Sequence, residues 1–450
     1  MKAAVFAVAA ATLTLACSDD EAGGPRDVTA EVSPEIATVV TVRWTTPEPT
    51  AGFVEYGPTE ALGSITPLDD GASTEHARTL LGLKADTLYH YRVVSQDGSA
   101  SAVQTVRTSY LPVGLPELTL EGEGHDQFTL VPVLGATKAV TILDADGDIV
   151  WYHTPSQDLD VYRARLAVDG ESLLYNAGSV SGDPADDSEL VRVALDGSSR
   201  TSIPLPLLAH DFVEHPDGTL AAIVVEYRDF EGMMLRGDTI VEIDPESGAK
   251  STVWTSWDCF DPAVQEQRGD NLEHGWTFAN ALDYDPEQDV YYLGMRNFSS
   301  IAKIDAESGS CEWVIGLYGR TIPFSPESER FLHQHQFEVR GDRLLVLDND
   351  GSTENVSRVL EYQIDIEANL VTQVWSYLSD PPVYTFVLGE PTRLADGDTF
   401  VNWSAAGQLE RVTADGESIW KLQSSASFAF GFHTLAPSLY PPGARYPTEP

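Results

Sequence analysis

A strand that ends in an acidic turn, followed by a second strand often bearing tryptophan, recurs six times along this chain. That recurrence limits the fold more than any other feature. The copies are Ile142-Leu143-Asp144-Ala145-Asp146-Gly147 with Trp151, Val193-Ala194-Leu195-Asp196-Gly197, and Ile243-Asp244-Pro245-Glu246-Ser247-Gly248 with Trp254. Then come Ile304-Asp305-Ala306-Glu307-Ser308-Gly309 with Trp313, Ile364-Asp365-Ile366-Glu367-Ala368-Asn369 with Trp375, and Thr413-Ala414-Asp415-Gly416 with Trp420. Successive copies stand about 50 to 60 residues apart. Between them lies a second kind of turn: Asp169-Gly170, Asp217-Gly218, Gln288-Asp289, Gly341-Asp342 and Asp396-Gly397, each leading into a hydrophobic strand. Pairs of this type supply the positive φ angles that tight hairpins need. Two hairpins per period make a four-stranded antiparallel sheet, the size of one propeller blade. Such a sheet can bury its faces only against neighbours, so the row of sheets must close on itself. The expected fold is therefore all-β, with a six-bladed β-propeller over residues 111–450. Its five repeat tryptophans are packing residues. The segment from about 117 to 137 and the strand near Phe428 to Leu435 are expected to complete the ring together.

Residues 28–110 follow a different grammar of short alternating strands. Val39-Val40-Thr41-Val42-Arg43-Trp44 and Gly52-Phe53-Val54-Glu55-Tyr56-Gly57 are two of them, and Leu83 to Val93 reads as a turn entering a long strand through Tyr89. A buried Trp on an early strand plus a Leu…Tyr corner resembles a fibronectin type III β-sandwich, in which the Tyr hydroxyl ties back a loop. Leu111-Pro112-Val113-Gly114-Leu115-Pro116 then reads as a stiff linker.

At the start, Met1-Lys2 precedes an apolar run from Ala3 to Ala16, too short to span a bilayer and of signal-peptide length. Leu15-Ala16-Cys17 followed by Ser18-Asp19-Asp20-Glu21 resembles a bacterial lipoprotein cleavage site. Residues 1–17 are thus expected to be a signal peptide ending in a lipidated Cys17, and residues 18–27 a tether. An ordinary signal peptide cut near the same point is the alternative. The expected location is periplasmic or cell-surface, with a lipid anchor in the outer membrane as the sole membrane attachment. Cys259 and Cys311 then remain as an even pair in an oxidising compartment, either bonded to each other or left as two buried thiols.

The formal charge is −43, with 70 acidic against 27 basic side chains. A field of that sign repels phosphate backbones, so nucleic acid is excluded as a partner. An anionic substrate would need a pocket made locally positive, in which Arg and His stand out.

The axial end of a propeller collects such groups, because the innermost strands of every blade meet there. The segments that would converge are Ala209-His210-Asp211-Phe212, Gly275 to Pro286, Gly294 to Ile301 and Phe331 to Phe337. Four motifs carry a resemblance: Asn280-Ala281-Leu282-Asp283-Tyr284-Asp285-Pro286, Arg296-Asn297-Phe298-Ser299-Ser300-Ile301, Gln334-His335, and Leu347-Asp348-Asn349-Asp350-Gly351. On these the chain from about 115 to 440 resembles the bacterial arylsulfotransferases. The resemblance implies sulfuryl transfer from a phenolic sulfate ester to a phenol through a sulfohistidine, with no nucleotide sulfate donor and no cofactor. Its expected partners are small phenolic sulfates and phenols, with a homodimer as a candidate assembly.

Carried over by position, His335 is the nucleophile, while Arg296 and His210 balance charge on the sulfuryl oxygens. The family keeps a further His two residues before the Asn of the Asn-Ala-Leu run, and here that place holds Phe278. His274 or His333 is the candidate compensating imidazole. Phe278 and Asn280 are candidate substrate contacts, Asp211 is a structural acceptor, and His215 and His433 are incidental. The alternative of another class is a catalytically weakened, surface-displayed module binding an aromatic or carbohydrate ligand. A metal-dependent hydrolase finds no closely spaced ligand set beyond His333-x-His335, and no metal site is expected.

Overall fold

The structure is a computed structural model that describes residues 24–69, 71–123, 125–155, 159–178, 186–270, 272, 275–350, 355–425 and 428–447. Cys17 and His274 lie outside the described residues.

The chain opens with two sheets that share one core. Arg26–Val32, Val40–Thr50 and Ser73–Leu80 form the first; Ser64–Ile65, Gly52–Gly57, Leu88–Ser95 and Gln104–Arg107 form the second. Alternation along each strand turns Val40, Val42 and Trp44 of one sheet onto Val54, Tyr56, Tyr91 and Val93 of the other. The Trp44 ring stacks on His76 at 4.8 Å. Tyr89 accepts a hydrogen bond from the Lys84 backbone N at 2.9 Å, so the tyrosine ties back the turn before its own strand.

Six further sheets follow in chain order, each antiparallel and built almost wholly from consecutive strands. The second, for example, runs Asp160–Leu166, Ser172–Gly178, Glu189–Ala194 and Arg200–Pro204. The turns show why Asp and Gly recur there. Gly170 has φ +66°, and a Cβ at that place would fall 2.4 Å from Pro441 Cα. The preceding Asp169 accepts from the backbone N of Glu171 and Ser172 at 2.8 and 2.9 Å. Asp289 adopts φ +55° without glycine, which its short polar side chain tolerates.

The two ends of this region are sealed separately. Leu118–Gly122 joins the sixth sheet by pairing with Ser418–Ser424. Phe128–Leu134 belongs to the first sheet, where Ala429–Phe430 and Thr434–Ala436 pair with it. Segments from both ends therefore interlock across two neighbouring sheets instead of closing one. Tryptophan links sheet to sheet as well: Trp151 Nε1 donates to the Leu195 carbonyl at 2.9 Å, and Trp375 Nε1 to the Ala414 carbonyl at 3.0 Å. Each indole reaches the acidic turn of the next sheet. The arrangement is all-β and propeller-like.

The linker does not keep the N-terminal sheets apart from the rest. Ile36, Val39 and Leu81 enter the same core as Val140, Trp151 and Tyr175. Lys84 Nζ lies 2.7 Å from Asp146 and Asp148 and 3.4 Å from Asp144. Tyr440, near the C-terminus, donates its hydroxyl to the Thr79 carbonyl at 3.0 Å. A disulfide joins Cys259, at the end of the short helix Ser256–Cys259, to Cys311 at the start of Cys311–Gly316.

Candidate active site

One buried network joins groups from the second, third, fourth and sixth sheets with segments that flank the first and the fifth. Arg163, on the first strand of the second sheet, is 1 % exposed. Its Nε donates to Asp211 of the third sheet at 3.1 Å, and its two Nη atoms donate to Glu390 of the sixth at 2.9 and 3.0 Å. Arg163 Nη1 also reaches the carbonyl of His433, which lies between the two C-terminal strands paired to the first sheet. The other oxygen of Asp211 accepts from the backbone N of Leu282 in the fourth sheet at 3.1 Å, and from Gln336 Nε2, just before the first strand of the fifth. Burial pushes Glu390 up to about 7 while Arg163 pulls it the other way. Asp211 thus serves as the expected structural acceptor, and His433 takes part through its carbonyl and through its backbone N, which donates to Glu390 at 2.8 Å.

Beside this network lie His335, Arg296 and His210. The His335 segment is clamped from two sides. Gln334 Nε2 donates to the carbonyls of Met295 and Ser300 at 3.2 and 2.9 Å, and Asn280 Nδ2 donates to the Gln334 carbonyl at 2.9 Å. Asn280 is fully buried, and its amide holds this segment. His335 itself is 2 % exposed, with Nδ1 3.0 Å from Asn349 Oδ1. Asn349 Nδ2 donates to the carbonyls of Thr385 and Leu388, which fixes the way the amide faces. His335 Nδ1 must then carry the proton. Nε2 keeps its lone pair, and no hydrogen bond to it is found among the described residues.

Electrostatics agree with a neutral ring. Burial, then the nearby Arg296 guanidinium, hold His335 well below the ordinary imidazole range, with His210 and His333 adding to the effect. Burial and then Arg236 bring His210 down to about 3, with Arg296 contributing. His335, His210 and Arg296 thus bear on one another's charge. His333 behaves in the opposite way. It lies between Asp350, 3.1 Å from its Nδ1, and Asp270 on its Nε2, and the Asp270 contact raises its pKa. It is held between two carboxylates that favour its protonated form, at the edge of the site.

Phe278 stands among the charged groups. Its ring centroid is 5.5 Å from that of His210, 4.3 Å from the Arg236 guanidinium and 5.9 Å from that of Arg296. Its backbone is left-handed at φ +51°, and His333 shares that value. Non-glycine residues in that region cost of order 1–3 kcal/mol and cluster at functional sites. Asp238 holds the kink, accepting from Thr277 Oγ1 at 2.5 Å and from Ala279 N at 2.7 Å. Arg296 N in turn donates to the Phe278 carbonyl at 2.9 Å, so the two motifs are bolted together.

Sequence reasoning missed Arg236 and the role of Asn349. Arg236 sits mid-strand in Met233–Ile243 with no motif around it. Asn349 lay in a quoted motif, but its partner is 14 residues away and visible only in space. A separate surface depression of about 490 Å³, lined by Arg228, Phe230, Trp257 and Phe260 among others, contains none of these site groups.

A family model described as Arylsulfotransferase (ASST) matches residues 119–436. A second, described as Purple acid Phosphatase, N-terminal domain, matches residues 25–108. No curated protein matches the chain significantly. Among solved structures, a protein of unknown function from Bacteroides caccae is 13% identical, covering 69% of this chain and 98% of its own, with a TM-score of 0.44. A catalytically inactive virginiamycin B lyase from Staphylococcus aureus is 14% identical over 71% of this chain and 99% of its own, at a TM-score of 0.40. A periplasmic gluconolactonase from Pseudomonas aeruginosa is 13% identical over 86% and 99%, at 0.41.

Proposed function

Because the chain belongs to the arylsulfotransferase family, we propose that it moves a sulfuryl group from a phenolic sulfate ester to a phenol by way of His335. The observation that carries this reading is the state of that ring: neutral, with Nδ1 committed to Asn349 and Nε2 left with its lone pair beside Arg296.

In the first half-reaction Nε2 attacks sulfur. The N–S bond forms as the ester S–O bond breaks, and the electron pair leaves on the phenolate. The imidazole becomes cationic, and its Nδ1–H stays on Asn349. In the second half-reaction the acceptor phenol oxygen attacks sulfur, the N–S bond breaks, and the phenol proton passes to water or to the departed phenolate. Arg296 offsets charge on the sulfuryl oxygens throughout, and His210 lends a neutral N–H. Splitting the transfer in this way replaces one difficult displacement by two easier ones.

The scaffold fits a six-bladed propeller closed around this site, a reading supported by the Arg163–Asp211–Glu390 network, which draws on four sheets and on segments flanking the other two. The two N-terminal sheets fit a fibronectin type III-like sandwich, supported by the Tyr89 tie to Lys84. An exported, lipid-anchored location rests on the sequence up to Cys17, and the Cys259–Cys311 disulfide suits an oxidising compartment.

The test is to mix the protein with 4-nitrophenyl sulfate and phenol and follow release of nitrophenolate. Without acceptor, the protein should gain the mass of one SO₃ on His335, and His335→Ala should lose both signals. A wild-type protein that releases no nitrophenolate with any phenol offered overturns the reading.

A further inference from the structure

The loop that carries the chain from Leu370–Tyr377 of the fifth sheet to Glu390–Arg393 of the sixth touches the candidate site at three places. The carbonyls of Thr385 and Leu388 hold the Asn349 amide, whose Oδ1 is 3.0 Å from His335 Nδ1. Leu388 packs with Tyr162 and Phe432, and the Tyr162 ring lies 5.2 Å from that of His210. Burial lowers the Arg296 pKa, while Asp270, Asp350 and then Tyr384 oppose it, so Tyr384 lies within reach of that charge. One short loop thus joins the surroundings of His335, His210 and Arg296.

The middle of the loop is anchored. Thr385 is fully buried; its N donates to Ser357 Oγ at 3.0 Å, and its Oγ1 accepts from Ala405 N at 3.1 Å. With Thr385 turned inward, its two neighbours turn out. Tyr384 is 39 % exposed and Phe386 57 % exposed. Their ring centroids are 6.4 Å apart at an interplanar angle of 42°. Two aromatic rings left in water on a pinned loop gain free energy when a flat apolar body covers them. Tilted rings at this spacing leave faces and edges free for offset or edge contact with a further ring. Phe386 carries no polar side-chain atom, so what it meets is the hydrocarbon part of a ligand.

We propose that Tyr384 and Phe386 form a platform for the aryl part of the substrate, one that favours phenols of two or more fused rings over single-ring phenols. The proposal rests on the reading of His335 as the sulfuryl carrier and gives that reaction its substrate class. Arg296 and the histidines answer to the sulfuryl end of such an ester. His335 is buried and the platform is open, so the rings meet the part of the substrate furthest from sulfur. A second fused ring reaches outward to them.

The test compares wild type, Tyr384→Ser/Phe386→Ser and the conservative Tyr384→Phe/Phe386→Tyr at one fixed phenol concentration. The donors are 4-nitrophenyl sulfate and the two-ring 4-methylumbelliferyl sulfate. Wild type should show the lower KM for the two-ring donor. The Ser pair should raise that KM about threefold to tenfold, the worth of a lost aromatic contact. The one-ring donor should suffer less, and the conservative pair should restore the wild-type value. An unchanged KM for the two-ring donor in the Ser pair overturns the proposal and leaves the His335 reading standing. So does a loss confined to kcat, which would mark the loop as a support for Asn349 alone. The single variants Tyr384→Ser and Phe386→Ser give the same readout if the pair does not fold. If wild type transfers nothing, the His335 reading fails, and calorimetric titration with 4-methylumbelliferyl sulfate decides the platform separately. Weaker binding by the Ser variants then supports it, and equal or absent binding overturns it.

Discussion

His335 Nδ1 and Asn349 Oδ1 stand 3.0 Å apart, and the Asn349 amide cannot reverse, because its Nδ2 already donates to Thr385 and Leu388 at 2.7 and 3.0 Å. The pair selects one tautomer of the proposed nucleophile. Removing the selector by Asn349→Ala should lower kcat about tenfold to a hundredfold, the usual cost of losing such an orienting partner. KM should change little. Steady-state kinetics on 4-nitrophenyl sulfate provide the check, and an unchanged kcat would show that the tautomer needs no guide.

The pH dependence of transfer follows from the state of His335. In the proposed transfer only the neutral ring attacks, and burial with Arg296 holds its pKa well below the ordinary value of 6.5. The acid limb for the first half-reaction should therefore lie well below pH 6.5, not at it. Nitrophenolate release in single turnover, quenched and read at one alkaline pH, measures this directly.

Stability should respond to acid through the same burial. His210, His335 and His433 are all depressed, His210 to about 3. Below pH 6.5 the unfolded chain takes up protons that these folded rings refuse. Their contribution is whole above the unfolded pKa and is lost as pH falls. The raised His333 works the other way, since its link to Asp270 strengthens as it protonates. His125, His153 and His215 are depressed as well, while Glu390, raised to about 7, acts with His333. With six depressed rings against these two, Tm should drop between pH 7 and 5, and scanning calorimetry will register it.

Arg163 joins partners far apart in the chain. Replacing it by Met leaves Glu390 buried without its counterion and Asp211 with the more distant Arg165 at 3.7 Å, and breaking such a pair costs about 3–5 kcal/mol. Urea unfolding should show a lower midpoint by that measure. A near-neutral Arg163→Met would mean that the two carboxyls find protons at no cost.

The bond between Cys259 and Cys311 closes a loop of sequence separation 52. Reducing it, or replacing both cysteines by Ser, should lower stability by about 2–4 kcal/mol, as loops of this length do. The site lies elsewhere, so activity at 25 °C should persist.

The sheets were legible because hairpin chemistry is local. An Asp-Gly pair declares its own φ angles, and six acidic turns at a steady interval declare a repeat. The strand exchange at the seam was half legible: both end segments were recognised, but which sheet each enters depends on register that only packing decides. For the site, His335, Arg296 and His210 came from motifs. Arg236 could not, because a lone Arg in a hairpin strand looks like any solvated residue until Gly275 and Phe278 are seen against it. The Arg163–Glu390 contact spans 227 positions and leaves no trace in either neighbourhood.

That last span has a temporal side. Arg163 needs the carboxylate of Glu390 and the carbonyl of His433, and the strand holding Phe128–Leu134 needs Thr434–Ala436. A chain emerging from its N-terminus therefore cannot assemble this centre until residues 390–436 have been made. A product ended before them lacks Glu390 and the strand partner of Phe128–Leu134.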